Sequence, residues 1–291
     1  MRIYLVLLAA VFSSVLCKAQ INIVNQPSVS NISTTGFTVT WTTDDTGSTS
    51  LKYGHTPMFE LGVLTGSGGT TNHVVTLTGA SASQVFYVQG FSISGIYTTY
   101  SETKTFITAS NSSGVIKCYF IKTVDTTVAQ PSGNYAKQLL NTIDDTLAAY
   151  INRAQATLDI AIYNLDNSTP ATTITNAINN AYNRGVRVRL IYESSNSNSG
   201  LALLNSSIPT FGDLGFGLMH NKFAVIDANA ADANLPIVWT GSTNWTVDQL
   251  TIDANNAIII QDQSLAIGYT MEFEEMWGGS SATPNTALAL F

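Results

Sequence analysis

GLMHNKFAVID, residues 217–227, carries both the strand signal and the chemical signal of its half of the chain. Phe223, Ala224, Val225 and Ile226 form a short unbroken apolar run, the pattern of a strand covered on both faces. Polar groups gather at its ends, with His220, Asn221 and Lys222 before the run and Asp227 after it. Residues two apart on a strand point the same way, so His220 and Lys222 can address one ligand together. Asp227 lies seven residues from His220, on the opposite face if the strand continues, and is expected to brace the stretch rather than touch a ligand.

Outward from this stretch, strand and helix patterns alternate. Downstream come the strand candidates IVWTGS (237–242) and NAIIIQD (256–262), then a helix from about Ser264 to Trp277. Upstream are the strands VIKCYFI (115–121), TLDIAIYNL (157–165) and VRVRLIYE (186–193). A helix is expected from about Asn134 to Ala154, with Leu139, Leu140, Ile143, Leu147 and Tyr150 at helical spacing, and another over 170–184. The alternation predicts an α/β domain over 115–279, a largely β core flanked by helices. Residues 280–291, SSATPNTALALF, read as a linker or the start of a further half, with an apolar end that has no visible packing partner.

The other half looks different. Residues 20–110 hold only short β-prone runs: FTVTW (37–41), SLKYG (50–54), HVVTLTG (73–79), QVFYVQGFS (84–92) and TKTFIT (103–108). Turn signals such as TDDTGS, GSGG and SISG separate them, which predicts an all-β sandwich. This half resembles a fibronectin type III domain, with Trp41 at the buried aromatic position and Phe86 or Tyr87 near the usual tyrosine position. His55 and His73 sit beside turns and are expected in surface or packing roles. NSSG, residues 111–114, is the natural linker.

Residues 1–19 read as a secretory signal, with Arg2 ahead of the apolar run Ile3–Leu16 and small residues at Cys17 and Ala19 before Gln20. Secretion to the periplasm or beyond is the expectation; lipidation at Cys17 is the alternative, disfavoured by Leu16 before it. With the signal removed Cys118 would stand alone, and its apolar setting predicts a buried small hydrophobe. The 291 residues are 11% charged, with 12 Lys+Arg against 19 Asp+Glu and a net charge of −7. Such a balance gains little from nonspecific attraction to nucleic acid, although Arg184, Arg187 and Arg189 could form a local basic patch.

HNKFAVID is a His-x-Lys-x-x-x-x-Asp pattern, and GSTNW (241–245) follows it with Ser242 and Asn244 two apart, expected to project to one side. An imidazole, an ammonium, a hydroxyl and an amide are suited to holding and attacking a phosphate diester. In these two motifs, and in the upstream IAIYNL and RGVRVRLIYE segments, residues 115–277 resemble the phospholipase D superfamily, which includes phospholipases and endonucleases of the Nuc type. The resemblance implies a catalytic set of His220, Lys222, Asp227, Ser242 and Asn244, with His220 forming a phosphohistidine and Lys222, Ser242 and Asn244 holding the phosphate oxygens. No metal or other cofactor enters this scheme. Several family members place a glutamate about eleven residues after the motif Asn to orient the imidazole; here that position is Asn255, with Asp253 as a nearby substitute.

The resemblance further implies a second histidine to protonate the leaving group, supplied by an identical subunit in a homodimer or by a second motif in a longer polypeptide. The substrate expected is a phospholipid, slightly favoured, or DNA or RNA. An inactive half-site that only binds a partner is the third alternative.

Overall fold

The computed structural model describes residues 20–128, 135–213, 215 and 217–291. The signal-peptide reading of 1–19 and the start of the expected first helix at Asn134 lie outside the described residues. The chain divides into two compact units. The first comprises the described residues up to Asn31 together with Phe37–Leu77 and Phe86–Phe106; the second comprises Ile32–Gly36, Thr78–Val85 and Ile107–Phe291.

The strands of the first half are β1 (Ile23–Ser33), β2 (Gly36–Gly47), β3 (Ser50–Gly54), β4 (Gly62–Thr65), β5 (Thr70–Thr78), β6 (Val85–Ser94), β7 (Tyr97–Tyr100) and β8 (Lys104–Ile107). They form a sheet β1-β2-β5 and a second sheet β4-β3-β6-β7, with β8 also paired to β6. Period-two alternation aims Val75 and Leu77 of β5 and Phe86 and Val88 of β6 inward. Trp41, 1% exposed, is the centre of this core and stacks on His73 at 5.1 Å. Gly90 must lack a side chain, because a Cβ there would sit 2.9 Å from the Trp41 indole. His73 is fully buried, its Nε2 2.8 Å from Thr43 Oγ1 and its Nδ1 2.8 Å from Thr49 Oγ1, so its role is packing. β1, β4 and β7 carry polar alternation too weak to stand out in the sequence.

The second unit is built on one eight-stranded mixed sheet. Its elements are β9 (Ile116–Phe120), β10 (Lys137–Gln138), α1 (Ile143–Ile151), β11 (Thr157–Ile162), α2 (Thr169–Asn183), β12 (Arg187–Tyr192), β13 (Thr210–Gly212), β14 (Lys222–Ile226), β15 (Ile237–Gly241), α3 (Val247–Thr251), β16 (Asn256–Ile260) and α4 (Gln263–Trp277). The strand order is β10-β9-β16-β15-β14-β11-β12-β13. β11 pairs in parallel with β12 and antiparallel with β14, which pairs antiparallel with β15.

Both faces of this sheet are covered over its central strands, which is why β11, β12, β14 and β15 read as largely apolar runs. On one face Leu158, Ile160, Val188, Leu190, Ala224, Ile226 and Trp239 join α1 and α2 in a single core. On the other, Ala161, Ile191, Phe223, Val225 and Val238 pack on Ala266, Phe273, Met276 and Trp277 of α4. Asp262 caps α4 by accepting the Leu265 amide at 2.8 Å, and Gly278 ends it at φ 81°.

Several expectations need correction. The first helix starts at Ile143, because Lys137 and Gln138 extend the sheet beside Tyr119 and Phe120 and Asn141 turns the chain at φ 48°. The strand expected over 217–227 is only Lys222–Ile226, so His220 precedes it rather than lying on it. Cys118 is half-buried, not buried. The apolar end of 280–291 does have a partner: Phe291 packs against Phe211 at 5.5 Å, and the Leu290 amide donates to Glu275 O at 2.9 Å.

Nor do the arginines make a basic patch. Arg189 is fully buried, its guanidinium donating to both Asp159 oxygens at 2.7 and 2.9 Å and lying over the Phe273 and Trp277 rings. Arg187 reaches Asp159 at 3.3 Å, and Arg184 donates to the Asn152 and Ala154 carbonyls. Asp159 and the helix-end carbonyls absorb the charge that the sequence left unassigned.

Candidate active site

The motif residues gather where β11 leaves the sheet and β14 enters it. Ile162 pairs with Lys222, and the Tyr163 amide donates to Asn221 O at 2.9 Å, so the antiparallel ladder carries the loop holding His220 up to the end of β11. The Tyr163 ring meets the His220 ring edge-to-face at 4.4 Å, and Lys222 Nζ lies 4.9 Å from its centroid. Lys222 Nζ also donates to His220 O at 3.0 Å. Burial holds the Lys222 ammonium below the ordinary lysine range. Among the described residues no carboxylate pairs with Lys222, and no hydrogen bond holds the exposed His220 ring. An ammonium held by a ring face and a carbonyl keeps its charge available for an anion.

GSTNW follows β15 on the adjoining strand end. Gly241, at φ 151°, faces Ala257, and a Cβ there would run into the Asn256 carbonyl oxygen and come within 2.8 Å of Ala257 Cα. The loop is tied to the β11 exit by the Trp245 amide donating to Asn164 O and the Asp166 amide donating to Trp245 O, both at 3.0 Å. Ser242 and Asn244 do not present themselves alike. Ser242 is exposed, its hydroxyl donating to Asn255 Oδ1 at 2.9 Å and accepting from the Asn256 amide at 3.1 Å. Asn244 is 5% exposed, and its Oδ1 is buried with no hydrogen-bond partner among the described residues.

Asn255 was expected to orient the imidazole, but its side chain engages Ser242 and donates to Gln249 O at 3.3 Å. Asp253 is exposed in the turn before β16, which begins only at Asn256, so it is not carried on the strand. Asp227 is set apart at the far end of β14. It is buried at φ 51° and accepts the amides of Gln155, Ala156 and Thr157 at 2.9, 2.7 and 2.9 Å.

Three residues at this end of the sheet drew no notice in the sequence. Tyr163 is the ring shared by His220 and Lys222. Glu193, 1% exposed, accepts the Ser195 and Met219 amides at 2.9 and 2.8 Å and so fixes the chain just ahead of His220. Gln249 accepts the Asn244 amide at 2.9 Å. An acidic residue closing the apolar run VRVRLIY was the one available signal for Glu193. A groove of about 500 Å³ opens beside the pair, lined by His220, Lys222, Gly241, Leu265, Tyr269 and Glu272. A second, of about 440 Å³, runs from His220 past Met219, Met276, Glu275, Leu290 and Phe291.

Residues 147–277 match the family model described as cardiolipin synthase, PLD-like domain. The chain is 32% identical over 129 residues to the mitochondrial cardiolipin hydrolase of Xenopus tropicalis, covering 43% of this chain and 56% of that protein. It is 32% identical over 127 residues to a phospholipase D of Rickettsia felis, covering 42% and 58%. The chain thus spans little more than half the length of these relatives. Nuc from Salmonella typhimurium, a phospholipase D family member, aligns over 56% of this chain and 93% of its own, with 20% identity and a TM-score of 0.42.

Proposed function

We propose that this chain is a phosphodiesterase that works through a phosphohistidine. The observation that carries this reading is the pairing of His220 and Lys222 about one aromatic ring at the mouth of a groove, the imidazole exposed and the ammonium without a carboxylate among the described residues. A His220 ring nitrogen forms the N–P bond as the bond from phosphorus to the leaving oxygen breaks, and a proton from an acid neutralises that oxygen. Water then breaks the N–P bond, releasing the phosphomonoester and restoring the imidazole. Lys222 and the Asn244 amide stabilise the charge that builds on the nonbridging oxygens. Ser242 can join them only by giving up its bond to Asn255. The acid is His220 of a second copy, the two sharing one cleft about a two-fold axis.

The substrate we favour is a phospholipid. Glu272 and Glu275 line the grooves beside His220, Arg189 is buried against Asp159, and the net charge is −7, all unfavourable to a polyanion. Apolar side chains at Leu265, Met276, Leu290 and Phe291 offer cover for acyl chains. We further propose that the protein is secreted. The first half we take to be a fibronectin type III-like spacer or binding module, a reading supported by its strand orders and by Trp41 buried between the sheets. The deciding experiment compares headgroup release from phosphatidylcholine with cleavage of single-stranded DNA, both with chelator present. Lipid turnover is expected; DNA turnover alone would reverse the substrate, and loss of all activity to chelator would overturn the metal-free scheme. Active dimers impaired by mixing with His220→Asn chains would support the shared cleft, and an active monomer would refute it.

A further inference from the structure

We propose that Tyr163 is the positioning residue of this site, fixing His220 and Lys222 relative to one another through its ring rather than through its hydroxyl. The inference rests on the phosphohistidine reading above and adds a residue to it. Neither partner has another side-chain anchor among the described residues: the His220 ring makes its one ring contact with Tyr163, and Lys222 Nζ has only that ring and the His220 carbonyl. A nucleophile on the loop before a strand is free to swing unless something packs against it, and attack on phosphorus demands alignment. The Tyr163 ring supplies this at 4.4 Å to the imidazole centroid.

Tyr163 is itself well placed to act as a fixed point. Its amide is bonded to Asn221 O at 2.9 Å, and its carbonyl accepts from Asn196 Nδ2 at 2.8 Å, so the backbone is clamped on both sides just past β11. Its ring face toward Lys222 Nζ, at 4.9 Å, favours the charged amine where burial disfavours it. One ring therefore does two things: it limits the imidazole's orientations and keeps the neighbouring amine protonated.

The test compares Tyr163→Phe, which keeps the ring, with Tyr163→Leu, which keeps apolar cover without a π face; Tyr163→Met serves if the leucine variant does not fold. Two quantities are read: the titration of the Lys222 amine by nitrogen-detected NMR, and kcat and KM for bis-p-nitrophenyl phosphate against pH. In the leucine or methionine variant the Lys222 titration should fall by about half a unit to one unit, and the alkaline limb of kcat should fall with it. Its kcat should drop roughly tenfold with KM little changed. The phenylalanine variant should stay near wild type in both. An unshifted Lys222 titration without the ring, or a phenylalanine variant as impaired as leucine, would overturn the proposal. If the wild-type chain hydrolyses no phosphodiester, the phosphohistidine reading fails, and the NMR titration alone still decides whether Tyr163 holds the Lys222 charge.

Discussion

The two ends of β14 belong to one eight-residue pattern and are treated in opposite ways. At the far end Asp227 spends both carboxylate oxygens on three backbone amides and is 2% exposed. At the near end His220 is exposed, and Lys222 holds its charge against a ring and a carbonyl. A carboxylate with three amide donors has little left to offer a ligand, whereas an ammonium without an anion does. Membership of a sequence pattern therefore does not decide which of its residues react; what each has already bonded does.

The strongest way to break this contrast is His220→Asn, which should lower turnover of any substrate at least about a thousandfold while leaving the melting temperature unchanged. Near-normal activity in a soluble variant would remove His220 from the chemistry. Lys222→Ala should cost about a hundredfold to a thousandfold in kcat, the usual effect of deleting a donor to a charged transition state. Asp227→Ala should act on the other quantity. Three amides lose a charged acceptor and a residue without a polar side chain is forced to φ 51°, so stability should fall by about 3 kcal/mol, measured by urea unfolding. Turnover per folded molecule should hold. A native melt with lost activity would erase the distinction between the two ends.

The smallest effect sharpens the contrast from outside the domain, with a histidine that is wholly spent. Burial of His73 lowers its pKa below the ordinary 6.5, so the unfolded state binds the proton more readily than the folded one. The first unit's stability should be level above about pH 6.5 and decline as the pH falls below it. His73→Asn should abolish that part of the acid loss, read as the difference in the first unit's melting temperature between neutral and mildly acidic buffer.

Much of the second unit was legible in its sequence because its central strands are largely apolar and buried on both faces and its main helices repeat at helical spacing. β11, β12, β15 and α4 fell within a few residues of their expected bounds. The first helix was overextended because Leu139 and Leu140 continue its spacing, while pairing of Lys137 with Tyr119, a tertiary event, claims that segment for the sheet. The site was legible as residue types and not as bonds. His220, Lys222, Ser242 and Asn244 do reach one end of the sheet, yet spacing could not reveal that Ser242 is engaged by Asn255 or that Tyr163 stands between the first two. The first contact joins residues 13 apart, beyond any local periodicity, and the second joins segments dozens of residues apart. The arginines misled for the same reason, since Asp159 lies 30 residues from Arg189 in the chain and against it in the fold.

Gly241 separates two kinds of constraint that a sequence alone presents as one. Its side-chain space is already filled by the Asn256 carbonyl and Ala257 Cα of β16. If residues 241–245 were randomised and clones selected only for soluble, folded protein, glycine would return at 241 while 242 became free to vary. Selecting the same library for turnover would then add restrictions at other positions of the loop and none at 241. The difference between the two selections would divide this motif, residue by residue, into the part that architecture demands and the part that chemistry does.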